Sequence, residues 1–191
     1  MMRYQMLSPD QEPVLAGALN GKFAFSLMIR GIKGNPLLPT PLFIDFQDVQ
    51  VATASFLRES VFSLKSYLRA MDSKYYAVAA NVNDPVYDEF LMVAHAKNDA
   101  IISCRLDEND QVSDIGLVGQ LDQKQQITFD LVNRLREADA NTLKERYGEA
   151  EKTTAWNNRL AGLAARGLIR EFSKGRAKYY RPVVEVGNNG R

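Results

Sequence analysis

The sequence predicts an α+β protein, a small α/β layer followed by helices that end in a β-hairpin. Three observations carry this expectation. Up to about residue 120, short apolar runs bounded by proline and polar turns alternate with stretches of helical period. After that point helical stripes succeed one another as far as Gly167, and two short strands flank Lys174-Gly175. Charge divides the chain in the same region: residues 1–120 carry 10 Lys/Arg against 14 Asp/Glu, and residues 121–191 carry 14 against 9. An acidic front and a basic back suggest two modules with different partners.

At 191 residues the chain fits one large domain or two small ones, and 46% hydrophobic with 25% charged residues is an ordinary globular composition. Apolar runs such as FLMVA from Phe90 are too short to span a bilayer, and MMRYQMLSPDQEP has no apolar signal core. A cytoplasmic protein with no membrane role is expected. One cysteine, Cys104, forbids an internal disulfide framework, and one histidine, His95, argues against a protein-only zinc site. No cofactor and no metal are expected.

In the first module, residues 1–120, Gly21 to Ile32 reads as a helix with Phe23, Leu27 and Met28 inward. LFIDF, after Pro36, Pro39 and Pro41, reads as a buried strand. Leu57, Val61, Leu64 and Leu68 then set an apolar stripe at helical period, with Thr53 or Ser55 as the cap. Tyr76 to Asn81 is a second strand. Asp84-Pro85 opens a helix to about Ala96, with Val86, Phe90, Val93 and Met92 on its inner face. Ala100 to Cys104 is a further strand, and Ile115 to Val118 an edge strand after the DENDQ turn. Asp45 reads as a turn or cap acid, His95 as a surface residue near a helix C-terminus, and Cys104 as a small core residue.

The run IDFQDVQVATASFLRESV, with GKFAFSLMIRGI before it, resembles the STAS-like domain of bacterial regulatory proteins. Asp45, Phe46, Val49, Ser55, Phe56, Leu57 and Glu59 carry the resemblance, which covers about residues 15–105. It implies a signal-receiving or partner-binding module. In related anti-sigma-factor antagonists a serine at the start of this helix is phosphorylated by a partner kinase, and Ser55 falls at that position. From the residues alone, Ser55 reads as a helix-start hydroxyl.

In the second module, residues 121–186, Ile127, Leu131, Val132 and Leu135 mark a helix from about Gln123 to Ala138. Asn141 or Thr142 caps a second helix, and Gly148 supplies the turn. A third helix runs from near Lys152 to Gly167, with Trp156, Leu160 and Leu163 inward and Thr154, Asn158 and Ala161 outward. Leu168 to Phe172 and Ala177 to Val184 form a hairpin about a Ser173–Arg176 turn, and residues 187–191 read as a frayed tail.

This order resembles the winged helix-turn-helix domains of bacterial transcription regulators. Asn158-Arg159-Leu160, Leu163, Gly167-Leu168-Ile169 and the Gly175-Arg176…Tyr180 hairpin carry the resemblance. It implies that Thr153, Thr154, Asn157 and Asn158 meet bases or phosphates of double-stranded DNA, with Lys174, Arg176 and Lys178 along the backbone. Between Lys152 and Arg181 stand eight Lys or Arg residues and one acid, Glu171. The expected function is a DNA-binding transcriptional regulator, homodimeric because operators are often twofold symmetric. The alternative is an adaptor that binds a histidine-kinase-like ATPase and uses its winged helix for assembly. An enzyme is not expected, since the sequence has no glycine-rich phosphate loop, metal cluster or nucleophile–base pair.

Overall fold

β-branched, aromatic and alanine-rich runs of the first 120 residues become the strands of a mixed five-stranded sheet. The computed structural model describes residues 2–8, 11–148 and 152–185, so the tail at 187–191 lies outside the described residues. The described chain divides into two units, one up to Gln120 and one spanning Leu121–Glu185.

The first unit begins with β1 (Met2–Gln5), followed by a two-residue strand β2 (Val14–Leu15) and helix α1 (Ala18–Gly31). β3 (Thr40–Asp45) and the short β4 (Val51–Ala52) lead into one long helical segment. That segment consists of α2 (Ala54–Leu57), a π turn at Arg58–Phe62 and α3 (Ser63–Ala70). β5 (Tyr75–Ala80), α4 (Asp84–Lys97), β6 (Ala100–Leu106) and β7 (Val112–Gly119) complete it. The sheet order is β1-β3-β5-β6-β7, parallel except for β7, which runs antiparallel to β6. Successive parallel strands that are also neighbours step the same way across the sheet. Right-handed crossovers therefore put their helices on one face.

Strand alternation shows in the core. Leu42 and Ile44 of β3, Ala77 and Ala79 of β5, and Ile101 of β6 pack with Leu57, Val61, Leu64, Val86 and Phe90 from the helices. Phe90 meets Phe46 edge-on at 5.3 Å. The opposite face carries Phe43, Val78, Ile102 and Cys104, also buried.

β1 was not anticipated. Its four residues are too few to show a period, and only pairing with β3, Tyr4 against Ile44, makes them a strand. α1 starts three residues earlier than the pattern suggests, and its inner side is Gly21 and Met28; Phe23 is 65% exposed and Leu27 37%. Gly21 decides this rotation. A Cβ there would lie 2.6 Å from the Phe56 carbonyl oxygen, so only glycine lets α1 rest on the long helical segment at this point. Met92, expected inward, is 62% exposed because Val86, Phe90 and Val93 already fill the inner face of α4.

Asp45 is not a simple turn acid. It ends β3 with a side chain of no exposed area, and Arg3 donates to its Oδ2 from Nε at 2.8 Å and from Nη2 at 2.6 Å. Its Oδ1 accepts from Asn81 Nδ2 at 2.8 Å and from the Gln47 amide at 3.0 Å. Asn81 Oδ1 accepts the Leu106 amide, and Arg3 Nη1 donates to Asp110 in the β6–β7 turn. The network thus joins β1, β3, the end of β5 and the tip of the β6–β7 hairpin.

The second unit holds α5 (Gln123–Leu135), α6 (Ala140–Tyr147), α7 (Thr153–Ala165) and an antiparallel hairpin, β8 (Ile169–Lys174) and β9 (Ala177–Pro182). Its buried side chains include Phe129, Leu131, Val132, Leu143, Trp156, Leu160, Leu163, Ile169 and Tyr180. Ile127, expected inward, is 47% exposed, and Thr128 and Phe129 are buried in its stead. α5 stops at Leu135, where Arg136 takes φ 65°, instead of continuing to Ala138. Ala138 then exchanges both backbone hydrogen bonds with Tyr180, at 3.0 and 2.8 Å, so the α5–α6 connection lies against β9 as a third strand position. The cap of α6 is Asp139, which accepts from the Asn141 and Thr142 amides, and neither Asn141 nor Thr142 is the cap. The hairpin turn is the two-residue Gly175-Arg176, shorter than the expected Ser173–Arg176, with Gly175 at φ 63° in the position where a II′ turn requires glycine.

Two predictions follow from these interiors. Arg3→Ala should strand the Asp45 carboxylate in the interior and destabilise the chain by about 3–5 kcal/mol in urea unfolding. Little loss would mean that water reaches Asp45. The second concerns alkali. Burial, and then the Asp45 charge, push the Cys104 thiol up to about 12; burial, and then Glu171, push the Tyr180 phenol up to about 12. Both groups are neutral when protonated, so this stability is complete below their ordinary values of 9.0 and 10.0 and is lost as pH rises toward 12. Thermal unfolding between pH 8 and 11 should show that fall, less steep in Cys104→Ala.

Candidate nucleic-acid interface

The surface made by α6, α7 and the hairpin is built outward from Trp156. Its indole is 2% exposed and stacks beneath the Arg159 guanidinium at 4.2 Å. Burial lowers the Arg159 pKa. A Cβ on Gly148 would come within 2.7 Å of Trp156 Cζ2, so the turn between α6 and α7 needs a residue without one. With Trp156, Leu160 and Leu163 inward, helical period turns Thr154, Asn157, Asn158 and Ala161 to solvent, and Thr153 is half-buried as the first residue of α7.

A groove of about 800 Å³ runs between the start of α6, the middle of α7 and the hairpin. It brings Asn157 together with Lys174, Arg176 and Lys178, four of the residues read from sequence. Thr153, Thr154 and Asn158 are not among its lining residues. Glu137, Asp139, Glu145 and Arg181 also line it, which gives four basic and three acidic side chains. Ion pairing sorts the basic ones. Arg181 is held by Glu137 at 2.6 Å, and Lys178 by Glu171 across the hairpin at 2.7 Å. Lys178 therefore does not have the unpaired charge its sequence position suggested. Outside the groove Arg170 is bound to Glu185 at 2.6 Å and Arg166 donates to Gln125. Among the described residues, Lys174 and Arg176 at the hairpin tip form no ion pair.

Two arginines do different work. Phe172 and Tyr179 stack across the hairpin with centroids 5.2 Å apart, and Arg181 lies 5.3 and 5.5 Å from the two rings. Arg170 approaches Phe172 at 5.5 Å. Sequence reasoning missed this clamp. The alternation Arg170, Phe172 facing Tyr179, Arg181 on one side of two paired strands is the signal that would have found it.

Ser55 lies in the first unit, half-buried in the first turn of α2. The cap there is Thr53, whose Oγ1 accepts the Phe56 amide at 3.3 Å, and Ser55 Oγ lies 3.1 Å from that same oxygen. The Ala54 amide donates to Glu89 Oε2 at 2.6 Å. A carboxylate thus already occupies the helix start, and a phosphate on Ser55 would meet like charge there. His95 is exposed in the last turn of α4, and Cys104 is buried.

No family model, no curated protein and no solved structure matches this chain. No helix among the described residues is long and apolar enough to cross a membrane.

The packing makes its own test. Thr53→Ala should cost about 1 kcal/mol as a lost cap. Ser55→Ala should stay within about 0.5 kcal/mol. Gly148→Ala should displace the Trp156 ring, cost about 1–3 kcal/mol by overpacking and shift the tryptophan emission. An unchanged emission spectrum would show that the turn has room for a side chain.

Proposed function

We propose that the chain is a DNA-binding transcription regulator. Residues 121–185 act as a winged helix-turn-helix on duplex DNA, and the first unit, read as STAS-like, receives a signal or binds a partner protein. The observation that carries this reading is the pairing pattern of the basic residues. Of the five basic residues on the hairpin, Arg170, Lys178 and Arg181 are held by acids, whereas among the described residues Lys174 and Arg176 stand without ion pairs at its stiffened tip. They share a groove with Asn157 of α7, beside the exposed Thr154 and Asn158. Cations at a projecting tip suit phosphate, and short polar side chains along an exposed helix suit base edges. The Ala138–Tyr180 bridge supports the winged reading, since it fixes the hairpin against the helices as a wing requires.

A second reading has its own observation. Glu137, Asp139 and Glu145 line the same groove, and a mixed-charge groove also suits a protein. There the chain is an adaptor for an ATPase of the histidine-kinase type, assembled through its second unit.

Duplex binding across a salt series separates the two. Lys174→Ala and Arg176→Ala should each weaken all duplexes alike and each reduce the slope of log affinity against log salt by about 1. Lys178→Ala should change the slope less, because its charge is already paired with Glu171. Asn158→Ala or Asn157→Ala should instead relax sequence preference, at about 1–3 kcal/mol on the best site. If the Lys174/Arg176 double variant binds every duplex as well as wild type at low salt, the adaptor reading takes over.

A further inference from the structure

The outer edge of the first unit leaves two kinds of group unsatisfied side by side. β1 is the terminal strand of the sheet and pairs only with β3. The Met6 amide donates to the Asp45 carbonyl, so by strand alternation Tyr4 turns its backbone to β3 while Arg3 and Gln5 turn theirs outward. Among the described residues those outward groups have no backbone partner. Next to this edge α1 exposes Leu19 by 80%, Phe23 by 65% and Leu27 by 37%, one stripe at intervals of four. A groove of about 340 Å³ lies between, with Tyr4 and Met6 at its base and Phe23 and Leu27 along its wall.

We propose that a second copy of this chain covers this edge. β1 pairs antiparallel with β1 of the copy about a twofold axis beside Tyr4, so that Arg3 of each faces Gln5 of the other, and α1 packs on its counterpart along the exposed stripe. A strand alone would satisfy the backbone and a helix alone the apolar face. Another β1–α1 pair supplies both, each beside the group that lacks it.

Spacing permits this. Paired strands lie about 4.8 Å apart, and a crossover helix seated between β1 and β3 would stand about one strand spacing from the axis. The two copies of α1 then lie roughly 10 Å apart, the distance of packed helices. Charge permits it as well. Natural edges are commonly protected by lysine or proline. β1 has neither, and its one charge, Arg3, is held by Asp45 and Asp110. The charges on α1 are Lys22 and Arg30, both basic, and the acidic Glu12 lines the groove that would receive the copy's helix.

Sedimentation velocity of the full chain over a concentration series, without nucleic acid, tests the proposal. Its failure would leave the DNA reading standing, and the converse also holds. The wild type should sediment as a dimer. Phe23→Asp should raise the dimer dissociation constant by about thirtyfold or more, as for loss of a central aromatic anchor. Gln5→Pro, which removes an outward amide from an edge strand, should weaken it too and carries the test should Phe23→Asp unfold. Met92→Asp, equally exposed on α4, should leave it intact. A wild type that stays monomeric, or a dimer indifferent to both edge variants, overturns the proposal. A monomer whose edge instead captures extended apolar peptides would assign it to a strand of another protein.

Discussion

Asp45 brings a carboxylate into the interior of the first unit, where an unpaired charge costs several kcal/mol, and the chain answers with four donors from three places. That requirement reaches far in sequence. Arg3 has to lie in a strand beside β3, which makes Met2–Gln5 an edge strand. Asn81 has to leave β5 with its amide turned to Asp45 and its carbonyl to the Leu106 amide, which sets where β6 stops pairing with β5. Arg3 then reaches Asp110, so the β6–β7 turn is drawn toward the opposite end of the strand order. Every member is satisfied, the condition under which a buried polar network specifies one arrangement.

The same network shows where sequence reading stops. Strands with their own period and punctuation, β3, β5 and β6, were legible, as were α4 with its Pro85 and the inward stripe of α7. β1 was not, because pairing makes it a strand and its four residues carry no such signal. Helix rotation was legible only where large residues crowd one face. In α1, Phe23 and Leu27 looked like core, but backbone approach at Gly21 turned them out. Caps were legible only in part: Thr53, one of the two candidates at α2, is its cap, whereas Asp139 at α6 was passed over. Asp139 precedes two other good capping residues, and Thr53 stands two positions before Ser55, so composition offers several candidates and geometry uses one.

The candidate interface was legible in its positions and less so in its electrostatics. Residues 121–191 exceed their acids by five basic residues, yet a count says nothing of which charges are already paired. Glu137, Glu171 and Glu185 each take a basic partner on the hairpin, and two of those partners, Arg170 and Arg181, also clamp the Phe172–Tyr179 stack. A fixed cation of this kind gives little to an incoming phosphate, because it would have to leave an existing partner first.

Two classes of cation therefore stand on one hairpin. Arg170 and Arg181 sit near its base, opposite each other in the ladder, and hold its aromatic pair and its ends in place. Lys174 and Arg176 sit at its tip, where Gly175 lets the chain reverse within two residues and keeps both close to the turn. A two-stranded ribbon is only marginally stable on its own, so tip charges on an unclamped hairpin would lose conformational entropy on meeting any ligand. The paired arginines take up that ordering within the fold. In this way the clamped arginines would raise what the two residues at the tip could contribute to any ligand they meet.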